Sequence, residues 1–296
     1  MGLDLSCEDT PTEWTNLTAE HAESAEVSQG VHSSSCFCVF LCVLCGLCGE
    51  RRTALRNIKL ILEYEGTDYH GWQVQPDGRT IQGTIEESLE RLLREKVTLV
   101  SAGRTDAGVH AWGQVANFRT SSDLPLVRIG RGLNGLLPED IVIREVEEMP
   151  LNFHARFDAR SRRYRYRIAR RRRAIERRLL WVVHADLDVA RMQEASVGLI
   201  GAHDFTSFCA ASSESDTPIC EVTECRWEQE GEEIRLEIEA NRFLHNMVRV
   251  IVGTMVDVGR GKLAPGRLAE ILQAKDRRRA GRTAPARGLC LVRVNY

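Results

Sequence analysis

A chain of 296 residues with 43% hydrophobic and 28% charged residues can bury a substantial core in one or two domains, which excludes a wholly disordered protein. Its formal charge of -2 averages two unlike parts: residues 1–50 hold eight acidic side chains and no Lys or Arg, which leaves 40 basic against 34 acidic groups, a net of +6, in the rest. That excess favours an anionic partner without naming one.

The first cysteines, Cys7, Cys36, Cys38, Cys42, Cys45 and Cys48, precede residue 50. The uncharged run from Cys36 to Cys48 is shorter than the roughly 18 residues a membrane span needs, and it lacks the basic lead-in of a secretory signal. Phe, Val and Leu fill the gaps between its cysteines where zinc sites carry turn residues, so neither a membrane segment nor a metal site is expected. Periodic patterning starts near Ile58. Ile58, Leu60, Leu62 and Tyr64 at period two predict a strand, and Ile81, Ile85, Leu89 and Leu92 at helical spacing predict an amphipathic helix. A strand over 97–102 leads into a Gly-bounded loop, and extended character resumes over 114–118.

In the second half, Tyr164, Tyr166 and Ile168 fall on one face of a strand and Arg163, Arg165 and Arg167 on the other. Met192, Ala195 and Leu199 predict a helix closed by Gly201, and Ile234, Leu236, Ile238 and Ala240 a strand. Next comes a helix with Leu244, Met247, Val248, Ile251, Met255 and Val258 as its apolar stripe and Arg242, His245 and Arg249 as a polar one. A helix around 265–272 and a strand over 290–294 close the chain, so the expected class is α+β. The later cysteines, Cys209, Cys220, Cys225 and Cys290, are scattered as reduced thiols of a cytoplasmic protein would be.

Two segments carry chemistry. Ser101 to His110, SAGRTDAGVH, sets Asp106 between two glycines after a strand, a loop able to hold one carboxylate toward a ligand. Taken alone, it also fits an Asx-turn in which Asp106 accepts from nearby backbone N–H groups. Between Arg156 and Arg178 lie twelve arginines against Asp158 and Glu176, interleaved with Tyr164 and Tyr166. Guanidinium planes beside aromatic faces suit phosphates and unstacked bases, although a solvated basic face has the same composition.

GRTDAGVHAWGQVANF resembles the Asp-containing motif of the TruA family of tRNA pseudouridine synthases. EYEGTDYHGWQVQP, FHARFDARSRRYRYRI, LIGAHDFTSF, NRFLHNMVRVIVGTMVDVG and GLCLVRVNY resemble its other motifs in order, over about residues 56–296. The resemblance implies isomerisation of uridine to pseudouridine at positions 38, 39 and 40 of the tRNA anticodon stem-loop, without cofactor or metal. It implies a homodimer, and two ferredoxin-like (RRM-like) halves with antiparallel sheets flanking a central basic cleft. The halves fall at 56–155 and 156–296. Asp106 matches the nucleophile, Arg249 its cationic partner, Tyr164 the ring against the target base and Arg104 the residue that assists base flipping. The expected substrate contacts are Tyr164, Arg104, His110 and Arg163. A basic residue usual after the FTSF segment is replaced by Thr217-Pro218-Ile219-Cys220. Residues 1–55 match nothing in the family and are expected to be a dispensable extension, disordered or arising from a start site assigned too far upstream. An RNA chaperone or scaffold without catalysis, or a synthase with another target such as a different tRNA position or a small nuclear RNA, are the rival readings.

Overall fold

The computed structural model describes residues 54–210 and 217–296, so nearly all of the 1–55 extension and its cysteines lie outside the described residues. Residues Arg52–Tyr296 form one compact unit. The elements run β1 (Arg56–Tyr64), α1 (Ile81–Leu93), β2 (Val100–Ser101), β3 (His110–Thr120), α2 (Leu126–Leu136), β4 (Ile141–Met149), β5 (Ser161–Ala169), β6 (Trp181–Val182) and α3 (Val189–Ser196). Then follow β7 (Gly201–Asp204), β8 (Ile219–Glu230), β9 (Glu233–Ala240), α4 (Met247–Gly259), α5 (Arg267–Ala274) and β10 (Leu289–Asn295).

The α+β class expected from the sequence is the one observed. The strands form one sheet in the order β4-β1-β3-β10-β5-β9-β8-β7, with β2 added to β3 and β6 to β5. Strands β4, β1 and β3 come from the first half of the chain and β5, β9, β8 and β7 from the second. The last strand joins the two groups: β10 runs antiparallel to β5 and, for two residue pairs, parallel to β3.

The alternation read at Ile58, Leu60 and Leu62 has its cause in burial, since all three side chains are fully enclosed, each worth about 1.5–3 kcal/mol of transfer free energy. Helix α1 starts where the Thr80 hydroxyl accepts from the Gly83 N–H at 3.2 Å, and it stops at Arg94, which takes a left-handed φ of 58°. Helix α4 is apolar nearly all round and is buried along most of its length. Arg242 and His245 do not belong to it. The expected helix beginning at Arg242 is corrected by the structure: the chain turns through Asn246, at a left-handed φ of 62°, and only then becomes helical at Met247. The strand expected over 97–102 shortens to Val100–Ser101.

The arginine face of β5 is also changed by its neighbours. Arg163 donates from Nε to Glu239 at 2.7 Å and pairs with Glu224, and Arg165 pairs with Glu237. Arg167 donates from Nε to Glu233 at 2.8 Å, and Glu233 also receives Arg173 at 2.8 Å and Arg235 at 2.7 Å. Strand β9 thus supplies an acid for each of these β5 arginines, and the face is a cross-strand lattice of ion pairs.

The hydrogen bonds from Arg167, with those from Arg235, hold the Glu233 carboxyl down at about 2, below its ordinary 4.5. A carboxyl depressed in the folded state stabilises the protein above pH 4.5, and that contribution disappears as pH falls through about 2. Glu233→Gln is therefore expected to be less stable than wild type near neutrality and to lose less stability between pH 4.5 and 2, measured as urea midpoints across that range.

Candidate active site

The loop between β2 and β3 presents Asp106. Thr105, beside it, is buried, and its hydroxyl lies 2.8 Å from the Tyr64 hydroxyl of β1. Gln114 of β3 donates from its amide to the Gly103 carbonyl at 2.8 Å, and the Trp72 N–H donates to the Thr105 carbonyl at 3.0 Å. The Val109 N–H closes the turn onto the Asp106 carbonyl at 3.1 Å. Gly71, at φ 92°, must be glycine for this approach: a methyl there would lie 2.9 Å from the Thr105 oxygen. With its backbone tied on both sides, the loop directs the Asp106 side chain outward, three-quarters shielded from solvent.

Arg249, in the first turn of α4, donates from Nη1 to Asp106 Oδ2 at 3.0 Å. The same nitrogen donates to Asn246 Oδ1 at 2.6 Å, and Nε donates to the Ala284 carbonyl at 2.8 Å. His245 Nε2 stands 3.5 Å from the other carboxylate oxygen, Oδ1. Tyr164 of β5 is buried, with Phe243 packed edge-on at 5.1 Å between ring centroids. Burial, and then the charge of Asp106, push the Tyr164 phenol above its ordinary range, so it is a neutral ring with a protonated hydroxyl. Carboxylate, guanidinium and aromatic ring converge from three separate stretches of chain.

The remaining expected residues are not all brought there. Arg104 is exposed beside Asp106 and makes no ion pair among the described residues. His110 is buried, with Nδ1 accepting from the Gly66 N–H at 3.1 Å and Nε2 within 3.2 Å of the Arg287 carbonyl. Burial lowers its pKa, so the ring is neutral and occupied by backbone, tying the start of β3 to the turn before β10. Arg163 points to the sheet face opposite Tyr164 and is held by Glu239 and Glu224. A residue that sequence reasoning missed is Arg162, which donates to the carbonyls of Ala102, Arg156, Ala159 and Asn241 and so braces both halves next to the Asp106 loop. Its signal was hidden inside the arginine run.

Also missed is the segment 281–285, a strap laid across α4. A methyl on Gly253 would sit 1.7 Å from the Arg282 carbonyl oxygen, so helix and strap touch backbone to backbone. The Gly281 N–H donates to the Thr254 hydroxyl at 2.9 Å, and the Tyr166 hydroxyl donates to the Pro285 carbonyl at 2.7 Å. Among the described residues no group of three or more His, Cys, Asp or Glu side chains is placed to hold a metal ion. Burial raises the thiols of Cys220, to about 11, and of Cys225 and Cys290, to about 12, so they stay protonated.

Comparison with known proteins gives this arrangement a family. A sequence model described as tRNA pseudouridine synthase matches residues 60–158 and 195–296. The chain belongs to the tRNA pseudouridine synthase family. It is 46% identical over 244 residues to a tRNA pseudouridine synthase A of Acetivibrio thermocellus, and 48% identical over 244 residues to those of Geotalea uraniireducens and Caldicellulosiruptor bescii. Each alignment covers 82% of this chain and all of the relative. The resemblance read from the motifs therefore holds, and the chain is an isomerase of the class that converts uridine to pseudouridine in tRNA.

The buried hydroxyl pair behind Asp106 makes a test of the loop. Tyr64→Phe leaves Thr105 and Gln114 short of a partner, at about 1–3 kcal/mol for an unsatisfied buried group. A loss of stability of that order in urea denaturation is expected, together with slower pseudouridine formation at temperatures where the variant is fully folded.

Proposed function

We propose that this enzyme isomerises uridines 38, 39 and 40 of the tRNA anticodon stem-loop, with Asp106 as nucleophile. The observation that carries the reading is the Asp106–Arg249 pair at 3.0 Å, with the buried Tyr164 ring close enough to feel the Asp106 charge. The guanidinium holds the carboxylate in place, and because it engages Oδ2 it leaves Oδ1 as the attacking atom. Tyr164 is the flat wall against which the detached uracil turns before it re-bonds through C5. Arg104, exposed at the loop, fills the space vacated when the base leaves the stack, an extrusion that costs a few kcal/mol.

The tRNA backbone is met by exposed arginines that make no ion pair among the described residues. Arg279 and Arg287 make no ion pair among the described residues, and Arg282 is held only over the Trp181 ring at 4.8 Å. Arg170, Arg171 and Arg173, by contrast, already pair with Asp186, Glu232 and Glu233. A phosphate arriving there displaces an acid and gains little. The enzyme works as a cytoplasmic homodimer in which tRNA contacts both subunits, a reading supported by the motif resemblance and tested by its mass in solution.

Asp106→Asn is expected to abolish turnover and leave tRNA binding nearly unchanged, because the amide is isosteric but cannot act as an anionic nucleophile. Arg249→Ala should lose most activity, because the carboxylate then loses the donor that orients it. Mapping of pseudouridine by chemical labelling in tRNA treated with the purified protein reads both variants and the positions modified. Residual Asp106→Asn turnover within about tenfold of wild type, well under the effect of losing a nucleophile, overturns the assignment. In binding measurements across salt, replacing Arg279, Arg282 and Arg287 by Ala should reduce the slope of log K against log salt by about 0.7–0.9 per lost phosphate contact. Replacing Arg171 and Arg173 should leave that slope nearly unchanged.

A further inference from the structure

His245 stands next to the proposed nucleophile and has no part in the chemistry so far described. We infer that His245 is a further catalytic residue, the base that removes the C5 proton of the uracil after it has re-bonded to the sugar. The inference rests on the reading of Asp106 as nucleophile.

The first observation is where the imidazole lies. Arg249 takes Oδ2 of Asp106, and His245 Nε2 lies 3.5 Å from Oδ1, the oxygen left to react. A sugar carbon bonded to Oδ1, and a uracil carbon about to replace that bond, are therefore in the space that Nε2 borders. The side chain is 45% exposed, so a substrate can reach it without unfolding anything.

The second observation concerns which atom carries the proton. Asn246 Oδ1 accepts from Arg249, a group that can only donate, so the amide of Asn246 has a settled orientation. Its other end, the NH2 group, is 3.2 Å from His245 Nε2 and donates to it. In the neutral ring Nε2 therefore bears the lone pair and Nδ1 the hydrogen. The lone pair is on the nitrogen that faces the reacting carboxylate, where it accepts from the Asn246 amide, and a C5 hydrogen reaching Nε2 takes the place of that hydrogen bond. The charged groups facing this nitrogen are Asp106 from the loop before β3 and Arg249 from α4.

The electron count closes without a further reactant. When the N1–C1′ bond breaks, the pair stays on the uracil, and C1′ is capped by Oδ1 of Asp106. Attack by C5 forms the C5–C1′ bond and expels the carboxylate, which leaves C5 tetrahedral with its hydrogen and a double bond between C6 and N1. His245 Nε2 takes that hydrogen as a proton. The C–H pair becomes the C5–C6 double bond, the C6–N1 pair returns to N1, and N1 accepts a proton from the imidazolium or from water. One proton leaves C5 and one arrives at N1, as isomerisation demands.

The test uses full-length protein and a tRNA transcript carrying either ordinary uridine or uridine deuterated at C5. His245→Gln and His245→Ala are expected to fold with wild-type thermal stability, to keep KM, and to lose about 10²-fold or more in turnover, the ordinary worth of a general base. In both variants C5–H cleavage becomes the slow step, so the deuterium isotope effect on turnover should exceed that of wild type. A side chain that merely supported the loop would slow earlier steps and leave the isotope effect no larger. Turnover within a few-fold of wild type, or a large loss without a larger isotope effect, overturns the role of His245. Failure of the underlying reading looks different: wild type would form no pseudouridine, or Asp106→Asn would remain active.

Discussion

Everything about this site depends on the orientation of one guanidinium. Arg249 has five donors in a fixed plane, and three of its bonds are made to different parts of the chain: Ala284 in the strap, Asn246 in the turn before α4, and Asp106 in the loop before β3. A lysine in its place would carry the charge without the planar geometry. The Ala284 carbonyl anchors the arginine, and the Ala284 N–H returns to the Arg249 carbonyl at 3.0 Å. That reciprocal pair locks the strap to α4 where Gly253 and Gly281 let the two backbones meet.

The strap leads directly into β10, and β10 fills the seam between the two groups of strands. Asp106 belongs to one group, Tyr164 to the other, and neither could be held near its partner by local sequence. The strand after the strap supplies backbone hydrogen bonds to both neighbours, and His110 adds a side-chain tie from β3 to the turn that precedes it. The same few residues that orient Arg249 therefore also unite the sheet. The fold and the proposed active site are coupled here through backbone contact.

Charge is sorted by face. On one side of β5 the arginines are spent on the acids of β9, and Glu233 alone receives three guanidinium groups. On the other side lie Tyr164 and the Asp106–Arg249 pair, and the exposed Arg104, Arg279, Arg282 and Arg287 make no ion pair among the described residues. A polyanion binds where counterions, and not fixed carboxylates, are displaced. A net charge of +6 counted along the chain could not distinguish these two uses of arginine, because the pairing is between strands far apart in sequence.

Local pattern was enough for the class and for many elements. Period two at 58–64 and 234–240 and period 3.6 at 81–92 follow from burial of one face, and the structure bears them out. Helix α2 escaped because Gly130, Gly132 and Gly135 interrupt its pattern, although Gly132 packs closely against Leu92. The motif around Asp106 was legible as a loop holding a carboxylate out, since glycine spacing is local. What lay beyond the sequence was every relation set by pairing across the sheet. The β5 arginines looked like a nucleic-acid face and are an ion-pair lattice, and His110 looked like a substrate contact and is a buried tie. Arg242 and His245 looked helical and lie in the turn, which is why His245 reaches Oδ1 of Asp106. Side-chain identity is written along the chain, but the partner that gives each charge its use is chosen by the order β3-β10-β5-β9, and only the folded sheet contains that order.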